Sequence, residues 1–140
     1  MSKTFTTVVS LKNYVETQCN IAVQNACNRL LGVLQQLIDS EYYDVYDPVW
    51  YERTDQFWRS ATTKMLTEAC GQIFMNPDEM HYNGWYGDEQ IILANLGIHG
   101  GISTPTTLKH RYWDEFVRYC DDNAIKILKE ELKKQGLSVK

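Results

Sequence analysis

Nowhere in this 140-residue chain do apolar residues run on for the ~20 positions that a membrane-crossing helix needs. The amino terminus, Met1-Ser2-Lys3-Thr4-Phe5, also lacks the continuous apolar stretch of a secretion signal. Positive charge is in deficit, with 14 Lys and Arg against 18 Asp and Glu, for a net charge of −4. A molecule so charged presents no overall attraction to nucleic acid or anionic lipid. The four cysteines, Cys19, Cys27, Cys70 and Cys120, lie far apart with no CxxC pair. Without an export signal they read as buried or reduced thiols.

Ligand and nucleophile patterns are missing as well. The three histidines, His81, His99 and His110, stand singly, without the spacing of a metal site. There is no GxSxG elbow and no other recognisable nucleophile setting. Gly97-Ile98-His99-Gly100-Gly101 has neither the Lys-Ser/Thr pair of a phosphate loop nor a dinucleotide fingerprint. Asp44/Asp47 and Asp121/Asp122 read as ordinary solvated pairs. The expectation is a protein that is no enzyme and carries no cofactor.

What is present is globular: 44% hydrophobic and 23% charged residues. A chain of this length reads as a single domain over 1–140 that can bury roughly two-thirds of its unfolded surface without a disulfide or metal. Aromatic residues reach 12%, led by nine Tyr. Tyr and Trp combine apolar area with a polar handle, so they serve either a core or a surface buried on assembly.

Along the chain, Leu11, Tyr14, Val15, Ala22, Ala26, Leu30, Val33, Leu34, Leu37 and Ile38 recur at three- and four-residue steps. They predict a helix over about 11–38, N-capped by Ser10 and about 42 Å long. That is long for so small a domain, so part of its stripe faces either a sheet or a partner. Gly32 marks close packing or a bend. A Tyr-rich extended segment follows over 41–60, with Pro48 as a breaker. Residues 61–75 predict two short antiparallel strands turning near Ala69-Cys70-Gly71, and Asn76-Pro77-Asp78 a turn. A short helix fits about 89–96, between Asp88 and Gly97.

A terminal helix fits about 108–135, stopped by Gly136. Its buried stripe is Tyr112, Trp113, Phe116, Val117, Cys120, Ala124, Ile127, Leu128 and Leu132, and the weak helix formers Asp121-Asp122-Asn123 predict a break. Lys126, Lys129, Lys133, Lys134 and Lys140 make its end basic, with Glu130 and Glu131 interleaved, which suits the helix dipole. The predicted class is α+β: a long N-terminal helix, a small antiparallel sheet, a short helix and a long C-terminal helix.

The most specific stretch is Tyr46-Asp47-Pro48-Val49-Trp50-Tyr51-Glu52-Arg53-Thr54-Asp55-Gln56-Phe57-Trp58-Arg59-Ser60. It resembles the signature of the head–tail joining, or tail-completion, proteins of tailed bacteriophages, in which Tyr-x-Pro-x-x-Tyr-x-Arg-Thr-x-x-Leu-x-x-Ser follows a long helix. Tyr46, Pro48, Tyr51, Arg53, Thr54 and Ser60 match, and Phe57 replaces the aliphatic residue. Leu93 to Gly101, Trp113-Asp114-x-Phe116 and the lysine-rich last helix resemble later parts of that family more loosely.

The resemblance implies a virion structural protein of the head–tail connection, made in the bacterial host cytoplasm. Its copies would form a homo-oligomeric ring between the portal-side connector and the tail-tube proteins. DNA would pass through the channel without specific binding, and no membrane is involved. A closed ring needs two different patches on each subunit. One is expected among Tyr42, Tyr43, Tyr46, Pro48, Trp50, Tyr51, Arg53, Thr54 and Trp58, and the other around Trp85 and His99 in the 81–101 region. Arg53, with its planar donor fork, either clamps a neighbour or braces its own loop. The alternatives are another minor capsid or tail component, and a host-directed protein-binding module.

Overall fold

The structure, a computed structural model, describes residues 2–44, 55–81, 87–96 and 111–140. It opens with helix α1, Val8–Ile38, about 46 Å long. The cap is Thr7, three residues before the expected Ser10. Thr7 Oγ1 accepts from the Ser10 amide at 3.1 Å, and Ser10 Oγ accepts from the Thr7 amide at 3.3 Å. Ser10 therefore serves as the return partner of a capping box, a role usually filled by Glu or Gln.

Two parts of the expected extended segment 41–60 are helical instead. The chain leaves α1 through a π-helical turn, Asp39–Tyr43, and re-enters as a one-turn helix α2, Gln56–Ser60. Aromatic side chains are the reason. Coiling the backbone lets Tyr42 and Phe57 meet, with ring centroids 4.6 Å apart, which stacks more apolar area than an extended strand would allow.

Strands β1, Ala61–Thr67, and β2, Cys70–Met75, form an antiparallel hairpin in which Ala61 pairs with Met75 and Thr63 with Ile73. A bulge falls between Met65 and Thr67, and the turn is Glu68-Ala69, slightly earlier than expected. Ala69 adopts φ 52°, and its amide donates to Asn20 Oδ1 at 3.1 Å, pinning the hairpin tip to α1. Closer to its middle, the hairpin meets α1 at Gly71. A Cβ there would collide with Cys27 Sγ and lie 3.4 Å from both Met65 Sδ and Val23 Cγ1.

A 3₁₀ turn, Pro77–Glu79, leads towards helix α3, Gly87–Asn95, which begins two residues before the expected start. Gly87 is needed there because a Cβ would press into the Pro77 carbonyl oxygen. Helix α4, Tyr112–Lys134, runs unbroken through Asp121-Asp122-Asn123. Packing against α1 outweighs the weak propensity of those three residues. Gly136, at φ 80°, ends it as expected, with its amide donating to Lys133 O and that of Leu137 to Leu132 O. The expected first turn, 108–110, lies outside the described residues.

Helices α1 and α4 run antiparallel. Phe57, which stacks on Tyr42 just beyond the end of α1, also meets Tyr112 at the start of α4 at 5.2 Å, edge to face. Earlier in α1, Arg29 donates to Glu131 at 2.9 Å and to Glu130 at 3.0 Å near the end of α4. One hydrophobic cluster joins the elements, including Ala26, Leu30, Leu34 and Ile38 of α1, Phe57, Met80, Ala94, and Tyr112, Phe116 and Ile127 of α4. The mixed α+β class and its element order are as the sequence predicts.

Two stripes depart from expectation. The stripe of α1 is buried only from Ala22 onward, while Val8 (82% exposed), Val9, Leu11 and Val15 face solvent. Helix α4 is eight residues shorter than α1, 23 against 31, so its packing gives out before the first turns of α1 are reached. On α4, Val117 is exposed rather than buried. Gly32 meets nothing within 4 Å of a notional Cβ, so it marks neither close packing nor a break in α1.

Candidate functional site

At one end of the molecule the termini of five elements converge on three aromatic rings. Phe57 and Tyr112 are almost completely buried, and Tyr42 is packed against them. Backbone polar groups around the rings are satisfied locally. Ser60 Oγ donates to Phe57 O at 2.6 Å, and the Asn76 amide donates to Ser60 O at 2.7 Å. Tyr112 Oη donates to Ile91 O at 3.1 Å, tying α4 to α3. Burial pushes the Tyr112 hydroxyl far above the ordinary tyrosine value, so it stays a donor at any physiological pH.

The rim is polar. Burial pushes the Asp39 carboxyl up, the Trp58 hydrogen bond pulls it down, and the Asp44 and Asp55 charges add to the rise. Gln56 Oε1 accepts from the His81 amide at 2.7 Å, and Asn95 Oδ1 accepts from the Trp113 amide at 3.0 Å. Asn95 Nδ2 donates to Asp114 at 3.2 Å, so α3 supplies part of the N-terminal capping of α4.

Of the sequence-predicted interface residues, the structure places two side chains. Tyr42 stacks on Phe57, and Trp58 is half-buried against the core beside Asp39. Both therefore help build the fold. Tyr43 contributes its backbone to the π-helical turn. Tyr46, Pro48, Trp50, Tyr51, Arg53, Thr54, Trp85 and His99 lie outside the described residues. Ser60, the last position of the motif, is a buried structural hydroxyl.

Beside this junction lies a groove that the sequence did not announce. It has a volume of about 480 Å³. One wall is Ile73, Phe74 and Met75 of β2, and the other is Ile91, Ile92 and Leu96 of α3. Tyr112 and Trp113 close its floor, and Gln72 and Asn95 supply the polar groups. Ile92 is 60% exposed and Leu96 is exposed too. The available signal was α3 itself: Ile91, Ile92, Leu93 and Leu96 are more apolar residues than one buried face of a two-turn helix accommodates.

Among the described residues no group of three or more His, Cys, Asp and Glu is placed to hold a metal ion. No described helix is long and apolar enough to cross a membrane.

A protein-family model described as YomN, the name of a phage-derived, SPbeta-type protein, matches residues 7–134. No curated protein and no solved structure matches the chain.

Proposed function

We propose a structural role in a phage particle for this chain, which belongs to the YomN family across residues 7–134. In this reading it is a virion protein of the head–tail connection, a tail-completion subunit. Its copies form a ring between the portal-side connector and the tail tube. The phage-derived family name supports a phage origin for the chain. The finer one draws on the Tyr46 to Ser60 motif and its resemblance to head–tail joining proteins.

The observation that carries a docking role is the apolar surface left unburied at two separate places. One is the projecting start of α1, with Val8, Val9, Leu11 and Val15; the other is the groove exposing Ile92 and Leu96. Contiguous apolar surface of this kind marks sites of association. A heterologous ring requires two unlike patches on each subunit, and the groove offers one of them. The net charge of −4 suits a channel that must let DNA pass without gripping it.

The test is electron microscopy of lysates from the parent phage with and without the gene. Filled heads and separate, complete tails in the deletion are expected. Joined, infectious particles in the deletion would refute the structural role and favour a host-directed binding module. Loss of heads or of tails alone would move the protein elsewhere in the particle.

A further inference from the structure

The two ends of α4 carry opposite chemistry. At its start lies the groove, and the acidic residues around it face the same way. On α3, Asp88 stands three, four and seven positions before Ile91, Ile92 and Asn95, and Glu89 three and seven before Ile92 and Leu96. These spacings set both carboxylates on the groove-lining side. Both are exposed, and neither has an ion-pair partner among the described residues. Asp114 adds a third carboxylate beside Trp113, partly countered by Arg111 at 3.5 Å. Among the described residues the other nearby cation is Lys64, whose ammonium lies 5.1 Å from the Phe74 ring.

At the far end of α4 the balance reverses. Glu130 and Glu131 are taken up by Arg29 and Lys134. Lys126, Lys129 and Lys133 share one helical face at i, i+3 and i+7, and Lys140 follows. None of these four has a carboxylate partner among the described residues. The helix dipole accounts for the lysines of the last turn, but its influence fades before Lys126. Past Gly136 the chain alternates Leu137, Ser138, Val139 and Lys140, with the two apolar residues half-buried. An apolar groove with an acidic rim thus has its complement, an apolar segment flanked by lysines, on the same chain. The two lie at opposite ends of a helix about 34 Å long, so one copy cannot satisfy itself.

We infer that the groove between β2, α3 and the start of α4 receives the basic C-terminal end of α4 and residues 137–140 of a second copy of this chain. The contact is heterologous, head to tail, which closes into a ring when the rotation between subunits permits. Apolar contact in the groove supplies adhesion, and the Asp88/Glu89 to lysine pairing fixes direction and excludes the reverse orientation. This inference names the interface for the ring reading above, but it does not depend on where in the particle the ring sits.

The experiment is sedimentation velocity on the full chain over a concentration series to about 1 mM, at low and high salt, with circular dichroism to confirm folding. The wild type should self-associate, and more weakly at high salt, because exposed pairs are screened. Asp88→Lys with Glu89→Lys should weaken association at least tenfold, and so should Lys133→Glu with Lys140→Glu. All four changes on one chain should restore it to within about threefold. Restoration by the combined swap separates a direct pairing from damage to the fold. A wild type monomeric throughout, or a swap that fails to restore association, would overturn the inference. Association indifferent to both reversals would overturn this interface while leaving the ring reading standing, whose own failure would show in the deletion particles.

Discussion

Replacing Gly71 with alanine should loosen the hairpin from α1, and the loss should depend on one sulfur atom. The added methyl points at Cys27 Sγ inside van der Waals contact, with Met65 Sδ and Val23 Cγ1 each at 3.4 Å. Cys27 has little room to yield, since it is buried on α1. Overpacking of this kind costs about 1–3 kcal/mol. The opposing term is the backbone entropy that Gly loses on folding, about 0.5–1 kcal/mol in favour of Ala. Gly71 does not adopt a positive φ, so no backbone strain enters. The net expectation is a loss of up to about 2.5 kcal/mol, which lowers Tm by up to roughly 10 °C for a chain of this length. Cys27→Ala alone should cost about 1 kcal/mol for the vacated volume. In the double variant the methyl occupies space the thiol has left, so its total cost should fall at least ~1 kcal/mol below the sum of the singles. Urea unfolding followed by tryptophan fluorescence reads all four corners of the cycle. Additive costs, or a Gly71→Ala variant more stable than wild type, would refute the steric argument.

Gly32→Ala should raise stability by up to about 1 kcal/mol in the same assay, since it lies inside α1 with open space around it. Tyr112→Phe keeps the ring contact with Phe57 but strips the donor from Ile91 O, and a cost of about 0.5–1.5 kcal/mol is expected in thermal melts. The Lys134 hydrogen bond, and after it that of Arg29, hold the Glu131 carboxyl below the ordinary glutamate value, against the effect of burial. A depressed folded-state pKa means that its stabilisation is complete above the unfolded value of about 4.3 and is lost as pH falls through the lower folded value. Its partners are largely exposed, so the contribution is under about 1 kcal/mol, and Glu131→Gln should flatten the acid limb of a stability-against-pH curve. Leu11→Ser and Val15→Ser should leave Tm within about 1 °C, because both side chains are already exposed. If instead they abolish particle assembly in phage complementation, the start of α1 is a contact surface.

Local pattern sufficed where one physical signal dominated. The three- and four-residue apolar steps of 11–38 and 112–132 stand out from sequence alone, because a helix places those positions on one face whatever it packs against. Gly136 ended α4 as expected, because few other residues tolerate its φ of 80°. The hairpin at 61–75 and the α+β class followed from β-rich runs around a turn. The Tyr46 to Ser60 motif was legible as a resemblance, although only its last residues, Phe57 and Ser60 among them, lie where the structure describes them, and those two serve the core.

Tertiary structure decided what depends on length and company. Whether Leu11 and Val15 are buried turns on α4 being too short to reach them, which no local pattern encodes. Tyr42 and Trp58, read as interface residues, pack at the core because π-helical and helical turns fold them back onto Phe57 and Asp39. The groove exists because Ile73, Ile92 and Trp113, far apart in the chain, line one space without filling it. Periodicity records which residues prefer to leave water. Only the distances between packed elements settle which of them succeed, and those left out stay on the surface.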